Sequence, residues 1–226
     1  KHIAESVFLD HMNFIRDNCH PISIEEYVYF CENDKNIPPK SVIISFDDGF
    51  KNNFSVAAPI LDSLGIPAVF YITSGIVNTN LMFWVDIIED CLNGTRKTKI
   101  NIKLNKQFQF SLDSEDNKIK ALDIIKTYCK SCDFFELKRI LFDIEKETDI
   151  KARVENSVNY QKISWEELKM LDSNQLFEIG GHSLYHNILS SLSPEALEKD
   201  VRASLDLLEI NLQKKIVHYS YPEGQK

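Results

Sequence analysis

The 226-residue chain has no apolar run approaching the roughly 18–20 residues that a membrane-spanning helix needs, so no transmembrane segment is expected in it. It also lacks an excess of positive charge. Lys and Arg number 26 against 34 Asp and Glu, a net charge of −8 with neutral histidines. That balance offers no general attraction to phosphate backbones or anionic lipid, and nucleic acid is not an expected partner. No charged n-region, apolar h-region or small-residue cleavage site follows Lys1, and a chain opening there is expected to be a fragment or a processed form. A disulfide framework is missing as well. Cys19, Cys31, Cys91, Cys129 and Cys132 are odd in number and scattered, which points to a reducing, cytoplasmic compartment, with or without association to a membrane. Cys129 and Cys132 form a CxxC without the second pair or nearby His of a zinc site, and are expected to be half-buried thiols on one helix face. Nothing repeats internally. What is present, 43% hydrophobic and 27% charged residues, suffices for one sizeable core or a core with an insertion.

Near the start, Phe8, Met12 and Ile15 recur at helical spacing, and Ser23 with Glu26 makes a capping box for a second short helix. Pro38 and Pro39 break the chain before Val42, Ile43, Ile44 and Phe46, an apolar run of the kind that forms a fully buried strand. Asn52 to Leu64 reads as a helix closed by Gly65, and Ala68 to Thr73 as the next buried strand. This βαβ unit predicts a parallel α/β sheet or barrel with its site at the C-terminal strand ends. Residues 76–160 break the rhythm. Ile100, Ile102 and Leu104, then Phe108, Phe110 and Leu112, alternate as in a hairpin, and the stretches 118–128 and 134–147 are helical in pattern. The segment is expected to be an insertion packed on the core of a single domain spanning 1–226. A capping box at Ser164 and Glu167 then precedes a helix and a short strand around Phe177 to Gly180. Ser193 and Pro194 open a long helix whose expected buried stripe is Leu197, Val201, Leu205, Leu208 and Leu212, followed by a strand from Ile216 to Tyr221.

Two adjacent carboxylates, Asp47 and Asp48, close the Val42–Phe46 run, although Asp is a poor strand residue and neighbouring like charges resist ionisation. Strand alternation would point them to opposite sides, one toward a cation and the other toward a substrate or water. The alternative is a strand ending in an ordinary turn. His182 and His186, four apart, can present both imidazoles on one side of a helical turn or tight loop. Alone they could equally be surface or half-buried polar residues. Two His and one carboxylate together form a usual ligand set for catalytic zinc, with one position left for water.

The motifs SFDDG (Ser45–Gly49), HSLYH (His182–His186) and YSYPEG (Tyr219–Gly224) resemble, in order, the first three motifs of the polysaccharide deacetylases with a NodB-homology domain, carbohydrate esterase family 4. MFWVD from Met82 resembles the opening of the insertion in a bacterial subgroup associated with surface-polysaccharide synthesis. The resemblance implies an α/β fold, an incomplete and distorted (β/α) barrel with a mixed hairpin and helical insertion. It implies Asp47 as general base and Asp48, His182 and His186 as ligands of Zn²⁺, or of Co²⁺ or Ni²⁺ in some members. Tyr221, Pro222 and Glu223 would form the oxyanion and substrate side of the site, with a backbone N–H near Glu223 holding the oxyanion.

The expected activity is metal-dependent N-deacetylation of an amino sugar in a bacterial cell-surface glycan or glycolipid. Two alternatives stay open: an inert metal-binding glycan-recognition domain, and another amide hydrolase on the same scaffold. Two departures bear on the choice. Ser220 stands where the family's third motif has an Arg that orients the catalytic Asp. The later motifs, with a general-acid His, have no counterpart before Lys226, and without the insertion the chain is short beside the roughly 250 residues of a full barrel. C-terminal strands are therefore expected from a longer parent.

Overall fold

A computed structural model describes residues 3–132 and 134–224 and divides them into two compact units, 1–79 with 161–226, and 80–160. In the first unit lie α1 (Glu5–Asn18), β1 (His20–Pro21), α2 (Ile24–Glu32), β2 (Ser41–Val42), β3 (Ile44–Phe46), α3 (Ala58–Leu64) and β4 (Ala68–Ile72). The second holds α4 (Trp84–Gly94), β5 (Lys99–Lys103), β6 (Gln107–Ser111), α5 (Glu115–Cys129) and α6 (Phe134–Thr148). The chain returns to the first unit with α7 (Trp165–Asp172), β7 (Phe177–Gly181) and α8 (Pro194–Leu212). No described helix is long and apolar enough to cross a membrane.

Three parallel strands in the order β3-β4-β7 form the sheet that carries the site. Its central strand β4 is almost wholly buried, as its sequence AVFYIT predicts. Phe70 of β4 stacks on Phe46 at 5.0 Å and meets Phe177 edge-on at 5.4 Å, so each strand contributes an aromatic ring to one core. Met12, Leu61, Leu168 and Leu208 from the surrounding helices close that core. The sheet remains open and no closed barrel forms among the described residues.

Local chemistry sets the helix ends. Ser23–Glu26 and Ser164–Glu167 both form complete capping boxes. Gly65 caps α3 in the left-handed conformation, φ 65°. Ahead of α3 the expected helix begins as a π-helical stretch, Asn53–Ala57, in which Ala58 N–H donates to Asn53 O. Pro59 follows and has no N–H to offer the preceding turn, which accounts for the wider winding.

Four expectations are corrected. The Val42–Phe46 run is two short strands in two sheets, half-buried, with Ser45 exposed, because β3 is the outer strand and is paired along one edge. Among the described residues the strand expected over Ile216–Tyr221 reduces to one parallel bridge, Gly181 to Tyr219, made by Gly181 N–H to His218 O and Ser220 N–H to Gly181 O; Val217, which would pair further back along β7, is 75% exposed. On α8 the buried residues are Asp200, Ser204 and Leu208, with Leu205 and Leu212 packed against the core, while Leu197 is exposed; Asp200 turns inward because it bonds to the histidine loop. Cys129 is the buried last residue of α5 and Cys132 lies in the turn beyond it, so the two do not share a helix face.

In the second unit β5 and β6 pair antiparallel, Ile102 opposite Phe108 and Ile100 opposite Phe110, as the alternation predicts. Its apolar side chains enclose a core of their own, including Ile88, Ile102, Ile125, Ile140 and Ile144.

Candidate metal centre

Asp48, His182 and His186 come together just past the C-terminal ends of β3 and β7, with one ligand-type atom from each lying within 4.8 Å of the other two. Asp48 Oδ1 is 3.4 Å from His182 Nε2 and 3.3 Å from His186 Nε2. The imidazole centroids are 5.2 Å apart.

Each side chain is delivered by a strained piece of backbone. β3 stops at Phe46, and Gly49 N–H donates to Asp47 O at 3.0 Å across Asp48, whose φ is 76°. That is a γ-turn of the rare left-handed type. The two carboxylates are thus separated by a turn and not by strand alternation. Within the HSLYH loop, Ser183 (φ 65°) and His186 (φ 59°) are also left-handed, as is Glu223 (φ 64°) in the third motif. Such conformations cost about 1–3 kcal/mol each and persist only where surrounding contacts over-determine them.

Those contacts come first from β4. His182 N–H donates to Ile72 O at 3.0 Å and Thr73 Oγ1 to His182 O at 3.1 Å; Ser74 and Gly75 N–H donate to Ser183 O and Leu184 O. The parallel ladder therefore runs on past the strands and clasps the start of the histidine loop. A Cβ on Gly75 would lie 2.5 Å from Leu184 O, so this close approach needs glycine.

The imidazole of His182, 2% exposed, places Nδ1 3.0 Å from Ser220 O. A carbonyl only accepts, so Nδ1 donates to it, and this bond fixes the ring with Nε2 facing Asp48. Ser220, whose side chain cannot replace an Arg, thereby orients a histidine through its backbone.

The charged groups of the cluster act on one another. Burial lowers the His182 pKa, but Asp48, Asp47 and the Ser220 carbonyl outweigh it and leave the value raised. Burial lowers that of His186, where Asp48 and Glu223 pull the other way. Desolvation on its packed side raises the Asp47 carboxyl, against the pull of His182 and with help from Asp48. Burial and then the Asp47 charge raise the hydroxyl of Tyr71, whose ring occupies the space left by Gly180.

The residues fit a divalent ion. Asp48 Oδ1 is buried without a hydrogen-bond partner among the described residues, which in a protein interior calls for a proton or a cation. Donors about 2.0–2.1 Å from a tetrahedral ion stand about 3.3–3.4 Å from one another, the spacing of Asp48 Oδ1 from both imidazoles. Two imidazoles and a carboxylate suit zinc and its neighbours, and leave a coordination position open. A groove of about 330 Å³ beside α8, lined by Val201, Arg202 and Leu205 among others, includes none of the three.

Of the remaining expected residues, Asp47 directly precedes Asp48 and is exposed. Tyr221 is 64% exposed, Pro222 is buried and Glu223 is exposed at the end of the third motif. Sequence reading missed Thr73, the Ser220 carbonyl and Asp200, whose carboxylate accepts from Leu184 N–H and Asn187 Nδ2. A signal for Asp200 existed: it lies four and eight residues before Ser204 and Leu208, on the face of α8 that is buried.

The open parallel α/β sheet carries its His–His–Asp cluster at the strand ends, where the resemblance to the NodB-homology domain places it. The sequence profile described as polysaccharide deacetylase matches residues 34–104 and 113–226, and the chain belongs to that family. Solved structures share the fold. With IcaB from Ammonifex degensii the TM-score is 0.60 at 15% identity, covering 99% of this chain and 68% of that one. The Streptococcus pyogenes deacetylase PplD, in complex with acetate, gives 0.57 at 15%, covering 98% and 64%. A de-N-acetylase from Aggregatibacter actinomycetemcomitans gives 0.55 at 17%, covering 99% and 70%. The chain thus spans about two thirds of the length of these proteins. No curated protein sequence matches it.

Proposed function

We propose that the protein is a metal-dependent deacetylase that removes N-acetyl groups from amino sugars of a polysaccharide or glycolipid at the bacterial cell surface. In this reading the chain is one deacetylase domain, and the insertion expected at about 76–160 corresponds to the second unit, residues 80–160. The observation that carries it is the convergence of Asp48, His182 and His186 beside a further carboxylate, Asp47, in a member of the polysaccharide deacetylase family.

Asp48, His182 and His186 would hold the ion, Zn²⁺ or alternatively Co²⁺ or Ni²⁺. When bound, such an ion supplies Lewis acidity and lowers the pKa of water to roughly 7. Asp47 takes the proton of the attacking water; desolvation, against the pull of His182, raises its pKa and makes it a stronger base than an ordinary carboxylate. Oxyanion stabilisation falls to a backbone N–H of the third motif. By the family resemblance it lies near Glu223, and the exposed Tyr221 ring offers an apolar face to the sugar.

Acetate release from N-acetylated chito-oligosaccharides, with and without added Zn²⁺, Co²⁺ or Ni²⁺, tests the reading. Asp47→Asn should lower kcat about 10²- to 10⁴-fold with metal affinity near normal, because a base is lost and no ligand. Asp48→Ala should weaken the metal itself. Metal uptake without acetate release would favour a glycan-recognition domain, and equal loss of metal in the two variants would refute the division of roles.

A further inference from the structure

We infer that Asp200 on α8 is a positioning residue that sets the geometry of His186, and through it the metal affinity of the proposed centre; the second half of this statement rests on that proposal. Asp200 is 8% exposed and lies 14 residues beyond His186 in the chain. Its Oδ1 accepts from Leu184 N–H at 3.1 Å and its Oδ2 from Asn187 Nδ2 at 2.7 Å. The two bonds bracket Tyr185 and His186. A buried carboxylate engaged on both oxygens makes charge-assisted bonds, roughly twice as strong as neutral ones.

The loop needs such a hold on this side. β4 grips residues 182–184 by main-chain bonds. Beyond them the chain passes through a second left-handed residue, His186, and there the contacts come from elsewhere. Asn187 N–H donates to Ser183 Oγ at 3.0 Å, and Ser183 N–H donates to Tyr219 Oη at 2.8 Å. Asp200 ties this closed loop to α8 by fixing the Asn187 side chain. The first ligand histidine is thus keyed to the sheet and the second to a helix. Hydrogen-bonded groups behind a ligand commonly control affinity about 10- to 100-fold when removed.

A swap experiment tests the assignment. Asp200→Asn sets an amide N–H₂ against the Asn187 N–H₂; the double variant Asp200→Asn with Asn187→Asp restores a donor–acceptor pair with the carboxylate on the loop side. Metal-free protein is titrated with Co²⁺ by visible absorption, and amide hydrogen exchange is followed at residues 184–187. The single variant should bind Co²⁺ about 10- to 100-fold more weakly and exchange faster in that segment, and the double variant should recover both to within a few-fold. Affinity and exchange unchanged in Asp200→Asn would overturn the inference, as would a double variant no better than the single one. If the wild type takes up no Co²⁺, the metal reading fails and exchange alone decides: protection lost in the single and regained in the double variant supports the positioning role, and unchanged protection refutes it.

Discussion

Replacing Gly75 by Ala adds one methyl group at the point where the end of β4 grips the histidine loop. The new Cβ would sit 2.5 Å from Leu184 O and 2.6 Å from Tyr185 Cε1. Both separations are roughly 1 Å short of ordinary van der Waals contact. The φ of Gly75 lies outside the left-handed region, so alanine adds no backbone strain of its own. The Tyr185 ring, 55% exposed, can swing away, but the Leu184 carbonyl is backbone and already accepts from Gly75 N–H at 2.8 Å. Relief therefore means parting the two segments. Overpacking costs about 1–3 kcal/mol and the weakened hydrogen bond about 0.5–1.5. Against a gain of about 0.4–1 kcal/mol from the stiffer unfolded chain, the expected net loss is about 0.5–4 kcal/mol. At about 2–4 °C per kcal/mol for a chain of this size, the unfolding midpoint should fall by several degrees. Calorimetry of the metal-free protein measures it, and Co²⁺ titration should find the affinity lowered about tenfold or more. Adding Tyr185→Ala separates the two clashes: if the carbonyl dominates, the double variant stays as impaired as the single. A midpoint and an affinity both equal to wild type would refute the reasoning.

Thiol chemistry gives a second check. Burial pushes the Cys129 thiol up to about 12 and that of Cys91 up to about 11, so at pH 8 both should resist alkylation in the native protein while exposed Cys31 reacts within minutes; one common rate for all the thiols would contradict the cores described. Ser164→Ala removes the acceptor of Glu167 N–H and should cost about 1 kcal/mol, read as a midpoint lowered by about 2–4 °C, whereas no shift would mean that this cap contributes nothing.

Features readable from the sequence are those set within a few residues. The capping boxes, the left-handed Gly65 and the β5–β6 register follow from side chains close in the chain. Pairing between distant segments was harder to read. The apolar content of Val42–Phe46 says that it pairs, but not that it divides between two sheets; Ile216–Tyr221 has strand composition, yet it meets β7 at a single bridge among the described residues. On α8 the leucines and Val201 suggest one stripe, while the buried positions belong partly to Ser204 and to Asp200, whose partners lie in the histidine loop. The candidate ligands were legible because their motifs are short and chemically distinctive. Their supports were not, since a backbone carbonyl such as that of Ser220 leaves no trace in residue type.

The left-handed residues at the centre bear on how the protein would respond to selection for heat resistance. Asp48, Ser183, His186 and Glu223 all occupy conformations that glycine adopts more cheaply. Laboratory evolution scored on folding alone should therefore enrich glycine or asparagine at these positions and discard a carboxylate and an imidazole of the proposed centre along the way. A library intended to keep that centre should hold the four constant and seek its gains in the second unit and on the outer faces of the helices.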